Sequence, residues 1–244
     1  MRARVALRAT ALAAVLAAVL VTLPLVLTSG SLLAPADAAM TPVRPRVMPA
    51  GQTQLITVQA AAWGSRTARI DLWIKGANGR WTAVAATSAR LGARGLVPGQ
   101  NRRQDTMTTP SGRYTLPSAF GTVSPTGYKI PYRKITYRSY WCLDNLSAKY
   151  NRYVEQYPMT GCRASQSEHL ANYSVYRRAI VIGYNLNQVR YRGGGIFLHD
   201  NGRGYTAGCV SVDRAFMDRI SGWLRTSAHP TIVIGTRASI ITQR

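Results

Sequence analysis

Ala68-Arg69-Ile70-Asp71-Leu72-Trp73-Ile74 alternates at period two, a spacing that suits a strand and defeats an amphipathic helix. It places Ile70, Leu72 and Ile74 on one face. Asn78-Gly79 follows, a pair suited to the positive-φ positions of a tight hairpin, and leads into Trp81-Thr82-Ala83-Val84. A chain that opens this way must find partners for a β-hairpin.

The rest of the sequence supplies them. Leu55-Ile56-Thr57-Val58 reads as a first strand. Thr109-Pro110-Ser111-Gly112 reads as a turn into a strand over Arg113-Tyr114-Thr115-Leu116. Residues 120–178 are rich in Tyr, Pro and Gly, and predict long loops with one short helix from Ser165 to Asn172. Ala179-Ile180-Val181-Ile182-Gly183-Tyr184 reads as a buried strand. Gly193-Gly194-Gly195 breaks the chain before another, Ile196-Phe197-Leu198-His199. Asp213 is placed to cap a helix that carries Phe216, Met217, Ile220, Trp223 and Leu224 on one side. His229-Pro230 ends that unit, and Thr231-Ile232-Val233-Ile234 is the last strand. Many short strands and few helices predict a mainly β domain over residues 51–244.

The N-terminus has a different composition. Arg2, Arg4 and Arg8 precede an uncharged run of Ala, Val and Leu from Ala11 to Leu27, and Ala36-Asp37-Ala38 has the small residues of a cleavage site. Residues 1–38 therefore read as a secretory signal peptide. The apolar run is long for a signal, and retention as an anchor is the alternative to cleavage. Residues 39–50 hold three prolines and no periodicity, and read as an extended Pro-rich linker. No later segment is apolar enough to span a bilayer. The expected location is secreted, extracytoplasmic and cell-wall associated.

The formal net charge is +22, from 31 basic and 9 acidic residues. Such an excess favours polyanionic surroundings. Given an exported chain, an anionic cell wall is the expected partner and nucleic acid is not.

An exported protein meets oxidising conditions, and this one has three cysteines. Cys142 and Cys162 lie in turn-rich sequence and are expected to form a disulfide. Cys209 is then left as a free thiol that needs a reason. It follows Gly208, and His199 closes a strand ten residues earlier. Asn201-Gly202-Arg203-Gly204-Tyr205 is flexible enough to fold the two ends together. An imidazole near a thiol can take its proton, and backbone N–H groups around Gly208 and Cys209 can hold an oxyanion. The helix after Cys209 is expected to lower the thiol pKa through its dipole. The competing reading makes Cys209 a small core residue and His199 a satisfied core histidine.

His199 together with Thr206-Ala207-Gly208-Cys209-Val210 resembles the active-site motif of L,D-transpeptidases, the cysteine enzymes that cross-link bacterial peptidoglycan. Thr108-Thr109-Pro110-Ser111-Gly112-Arg113-Tyr114 resembles that family's Thr-Pro-x-Gly-aromatic stretch, and Ile180 to Asn185 the strand before its active-site loop. The resemblance spans roughly residues 52–236. It implies a β-sandwich-like catalytic domain. It further implies that Cys209 attacks a stem tetrapeptide after its diaminopimelate-type residue and expels D-alanine. His199 is then the base, and the backbone carbonyl of Asp200 orients its ring. A second stem's amine resolves the thioester, with no metal or organic cofactor. Thr206, Ser211 and Tyr191 are the candidate contacts to the stem peptides. The chain departs from the family pattern at Ala207, where His is common, at Ser211, where Asn or Arg is common, and in a short loop from His199 to Cys209.

Three rival functions share these residues: an L,D-carboxypeptidase that uses water as acceptor, a non-catalytic cationic wall-binding module, and a secreted cysteine protease. His169 and His229 read as structural or surface residues. Trp63, Trp73 and Trp81 read as packing residues in the N-terminal strands, with stacking on glycan rings as the alternative.

Overall fold

A computed structural model describes residues 40–155 and 161–243. The proposed signal peptide lies outside the described residues. Among the described residues fourteen strands follow in chain order: β1 (Gln54–Ala60), β2 (Thr67–Lys75), β3 (Trp81–Arg90), β4 (Leu96–Pro98), β5 (Thr109–Thr115), β6 (Ala119–Gly121), β7 (Tyr132–Lys134), β8 (Ser139–Cys142), β9 (Arg152–Glu155), β10 (Ser167–His169), β11 (Ala179–Val181), β12 (Phe197–Asp200), β13 (Val210–Val212) and β14 (Thr231–Thr236). Two α-helices, α1 (Arg214–Trp223) and α2 (Arg237–Thr242), lie near the C-terminus. The fold is mainly β with few short helices, consistent with a sandwich-like architecture.

Eleven strands form one mixed sheet in the order β4-β5-β14-β1-β2-β3-β13-β12-β11-β6-β7, and β10-β8-β9 form a second, smaller sheet. The β2–β3 hairpin runs antiparallel as the alternation requires, with one register shift at Leu72/Trp73. Ile70 and Leu72 are buried, whereas Ile74 at the strand's end is exposed. The opposite face is covered too. Trp73 is buried and its indole N–H donates to Thr57 Oγ1 at 2.8 Å.

Period-two alternation divides the strands between cores. Ile56, Val58, Ile70, Leu72, Ile232 and Ile234 turn into the main core, over which α1 lays Phe216, Met217 and Ile220. Leu55, Trp73 and Val233 point the other way, and pack with Val43 and Ile240. Val43 thus docks the Pro-rich segment against the sheet. A third cluster, Phe120, Trp141, Leu170, Tyr176, Val181 and Phe197, includes Cys209.

Two expectations need correction. Thr109-Pro110-Ser111-Gly112 lies within β5 and is not a turn. Residues 109–111 pair only with β4 and residues 112–115 only with β14, so Pro110 sits where one side of the strand needs no ladder donor. The expected helix from Ser165 to Asn172 is replaced by a 3-10 turn (Ala164–Gln166), β10, and a second 3-10 turn (Leu170–Asn172). Ser167 pairs with Cys142, and Cys142 is bonded to Cys162. This cross-link and the β8 ladder override local helix propensity.

The disulfide closes a loop with a sequence separation of 20. Replacing both Cys142 and Cys162 by Ser should cost about 3 kcal/mol in urea denaturation. An unchanged midpoint would show that the small sheet holds without the cross-link.

Candidate active site

β12 and β13 run parallel, with Leu198 beside Val210 and His199 beside Ser211. Leu198, Val210 and Val212 fill the main core. Alternation then turns Phe197, His199, Cys209 and Ser211 to the opposite side. There Cys209, His199 and Ser211 line one cavity of about 520 Å³, together with Arg102, Glu168 and Tyr176.

Cys209 is the free cysteine of the described residues and is 7% exposed. Its Sγ accepts from Phe197 N–H at 3.3 Å and lies 3.5 Å from the Gly195 carbonyl oxygen. His199 is 6% exposed. Its Nδ1 sits 2.7 Å from the Asp200 carbonyl oxygen. A carbonyl only accepts, so Nδ1 carries the proton and the neutral ring offers the Nε2 lone pair. The Tyr176 ring meets the imidazole edge to face at 5.3 Å. The Asp200 carboxylate points elsewhere and pairs with Arg177 at 2.9 Å. No hydrogen bond joins His199 to Cys209 among the described residues.

The turn before Cys209 is tightly braced. Thr206 Oγ1 accepts from Gly208 N–H at 3.1 Å and donates to the Cys209 carbonyl at 2.6 Å. Thr109, from the Thr-Pro stretch, accepts from Gly92 N–H at 2.7 Å and donates to the same carbonyl at 3.4 Å. Gly208 has φ +144°, and a Cβ there would lie 2.8 Å from both Arg102 Nη2 and the Thr108 carbonyl oxygen. Only glycine fits this approach.

The structure moves several expected roles. Strand β13, and not a helix, follows Cys209, and α1 starts only at Arg214. The helix dipole therefore does not act on the sulfur. Burial instead pushes the thiol pKa up to about 12, with Glu168 adding to the rise and the Phe197 N–H and Arg102 opposing it. Gly208 N–H is committed to Thr206 Oγ1 and is not free for an oxyanion. Thr206 is a brace of the turn. Ser211 is fully buried, with its hydroxyl 2.8 Å from the Asn201 side-chain amide. Tyr191 is exposed and lies outside the cavity lining, on a neighbouring surface with Arg103 and Arg190. His169 stacks on Tyr140 at 4.4 Å, a packing role.

Two groups escape the sequence reading. Arg102 is buried, and its guanidinium donates to the carbonyls of Thr108 at 2.8 Å, Arg192 at 3.2 Å and Ala207 at 3.4 Å. It fastens three loops behind the thiol. Nothing in Asn101-Arg102-Arg103 separates it from its neighbour in so arginine-rich a chain. Glu168 is masked by the helical reading of its segment. In β10 its carboxylate faces the cavity and accepts from the Tyr176 hydroxyl at 2.5 Å.

Burial also lowers the His199 pKa from 6.5 to about 4, against the raising effect of the Asp200 carbonyl. Thiol and imidazole are thus both neutral near neutral pH. The unfolded chain takes up a proton below about 6.5, and the folded one refuses it until about 4. Stability should therefore fall across that window by on the order of 3 kcal/mol as pH drops. Urea denaturation of His199→Gln should show that slope removed; an identical slope in both proteins would place the titration elsewhere.

A family model for the L,D-transpeptidase catalytic domain (YkuD) matches residues 62–238. Neither the curated proteins nor the solved structures compared with the chain gave a match.

Proposed function

Because the chain belongs to the L,D-transpeptidase catalytic-domain (YkuD) family, we propose that it is a peptidoglycan L,D-transpeptidase acting through a Cys209 thioester with His199 as base. The observation that carries this reading is one cavity lined by a free thiol and an imidazole whose Nδ1 is tied to the Asp200 carbonyl.

Attack starts from neutral partners. As Sγ bonds to the carbonyl carbon after the diaminopimelate-type residue, its proton passes to His199 Nε2. The resulting oxyanion is held by the Cys209 N–H, since that of Gly208 is already engaged. Collapse breaks the amide bond, and His199 returns its proton to the departing D-alanine amine. The amine of a second stem, having released its ammonium proton to water, then attacks the thioester. His199 takes a second proton from that nitrogen and passes it to the leaving sulfur. A new amide and the free thiol result. The Cys142–Cys162 disulfide and the cationic surface support an extracytoplasmic site of action beside an anionic wall.

Tetrapeptide muropeptides test the proposal, with products read by mass. Cross-linked dimers are expected from the wild type and none from Cys209→Ser, while His199→Ala should slow acylation at least about a hundredfold. Tripeptide monomers alone would favour the carboxypeptidase. Retained binding to sacculi with no product from any variant would favour the wall-binding module.

A further inference from the structure

The chain has a large excess of arginine, and its buried acids use it. Asp71 pairs with Arg69 at 2.8 Å, Asp144 with Arg163 at 2.7 Å, and Asp200 with Arg177 at 2.9 Å. Glu168 differs. Among the described residues it makes no ion pair, and its only hydrogen-bond partner is the Tyr176 hydroxyl on Oε1. Burial pushes its pKa up, and the Tyr176 hydrogen bond only partly offsets this. Glu168 is half-buried at the cavity wall; a partly desolvated carboxylate without a cation carries a cost that an arriving cation relieves.

The place of this carboxylate identifies the cation. Oε2 lies 3.5 Å from where a Cβ on Gly195 would stand, and the carbonyl of Gly195 is the one 3.5 Å from Cys209 Sγ. Sulfur and carboxylate thus flank the same residue. Tyr173 and Val175 line the same cavity beside them, Tyr173 half exposed, and offer apolar surface to a methylene chain. Arg102 and Arg203 line the same cavity, but Arg102 is committed to three backbone carbonyls and neither pairs with Glu168 among the described residues.

We propose that Glu168 docks the ammonium group of the incoming amine acceptor beside the thioester, where loss of one proton to water frees the attacking amine, so that the thioester is passed to an amine in preference to water. Glu168 is then a specificity-determining residue. The inference rests on the thioester reading of Cys209 and adds the side chain that receives the acceptor's ammonium group.

The test runs acyl transfer from a tetrapeptide donor to Nα-acetyl-lysine, and in parallel to hydroxylamine, which is largely uncharged at neutral pH. Glu168→Gln keeps an oxygen for the Tyr176 hydroxyl while losing the charge. The ratio of amine transfer to hydrolysis should fall about tenfold through a raised KM for the amine. The ratio for hydroxylamine should move less than about twofold. If the variant does not fold, the wild type gives the answer. Tetramethylammonium, which binds a carboxylate but cannot attack, should suppress transfer to the amine and spare transfer to hydroxylamine. Equal changes for both acceptors, or none for either, would overturn the docking role. A wild type that acylates and then only hydrolyses would also overturn it, while leaving the thioester reading intact. A wild type that never acylates at Cys209 would overturn both.

Discussion

The parallel register of β12 with β13 is the constraint on which the site depends. Each strand gives alternate residues to the main core: Leu198 from one, Val210 and Val212 from the other. Those three side chains are fully buried, so neither strand can slip by one residue without sending a large apolar group into the cavity. Core packing therefore fixes which face His199 and Cys209 occupy. The chemistry borrows its geometry from the hydrophobic effect.

The same burial sets the electrostatics. Withdrawing thiol and imidazole from water favours the neutral form of each, which moves the sulfur's pKa up and the ring's pKa down. A resting thiolate–imidazolium pair would need both shifts reversed. What is pre-organised instead is orientation. The Asp200 carbonyl holds the ring's tautomer, while Thr206 and Thr109 clamp the Cys209 carbonyl, and Arg102 stitches the loops behind it. In the proposed mechanism, proton transfer waits until an electrophile lies against the sulfur, and thiol oxidation, which runs through the thiolate, is expected to be slow in the resting protein.

Much of this was legible in the residues. Period two around Ile70 and the Asn78-Gly79 turn located the hairpin; Asp213 located α1, whose Phe216 N–H it accepts at 2.8 Å. The odd cysteine count singled out Cys209 and paired Cys142 with Cys162, as the structure has it. What was not legible depends on contacts distant in sequence. The Ser165 to Asn172 segment becomes a strand because Cys142 and its ladder lie beside it, and only then does Glu168 alternate into the cavity. Arg102 owes its place to carbonyls up to 105 positions away. The helix-dipole reading of Cys209 failed because three strand residues intervene before α1, a spacing set by pairing with β3 and β12. The C-terminal α2 gave no clear periodic signal, and forms where Thr236 caps it and Ile240 is buried under the sheet.

The account centres on a thiol that is protonated at rest and lies in one cavity with a neutral imidazole. The rate of Cys209 alkylation by iodoacetamide, followed by intact mass as a function of pH, tests this most directly. The rate should stay low from acid through neutral pH and climb without a plateau into the alkaline range. A fast plateau beginning below neutral pH, lost in His199→Ala, would reveal a resting thiolate–imidazolium pair and contradict the account.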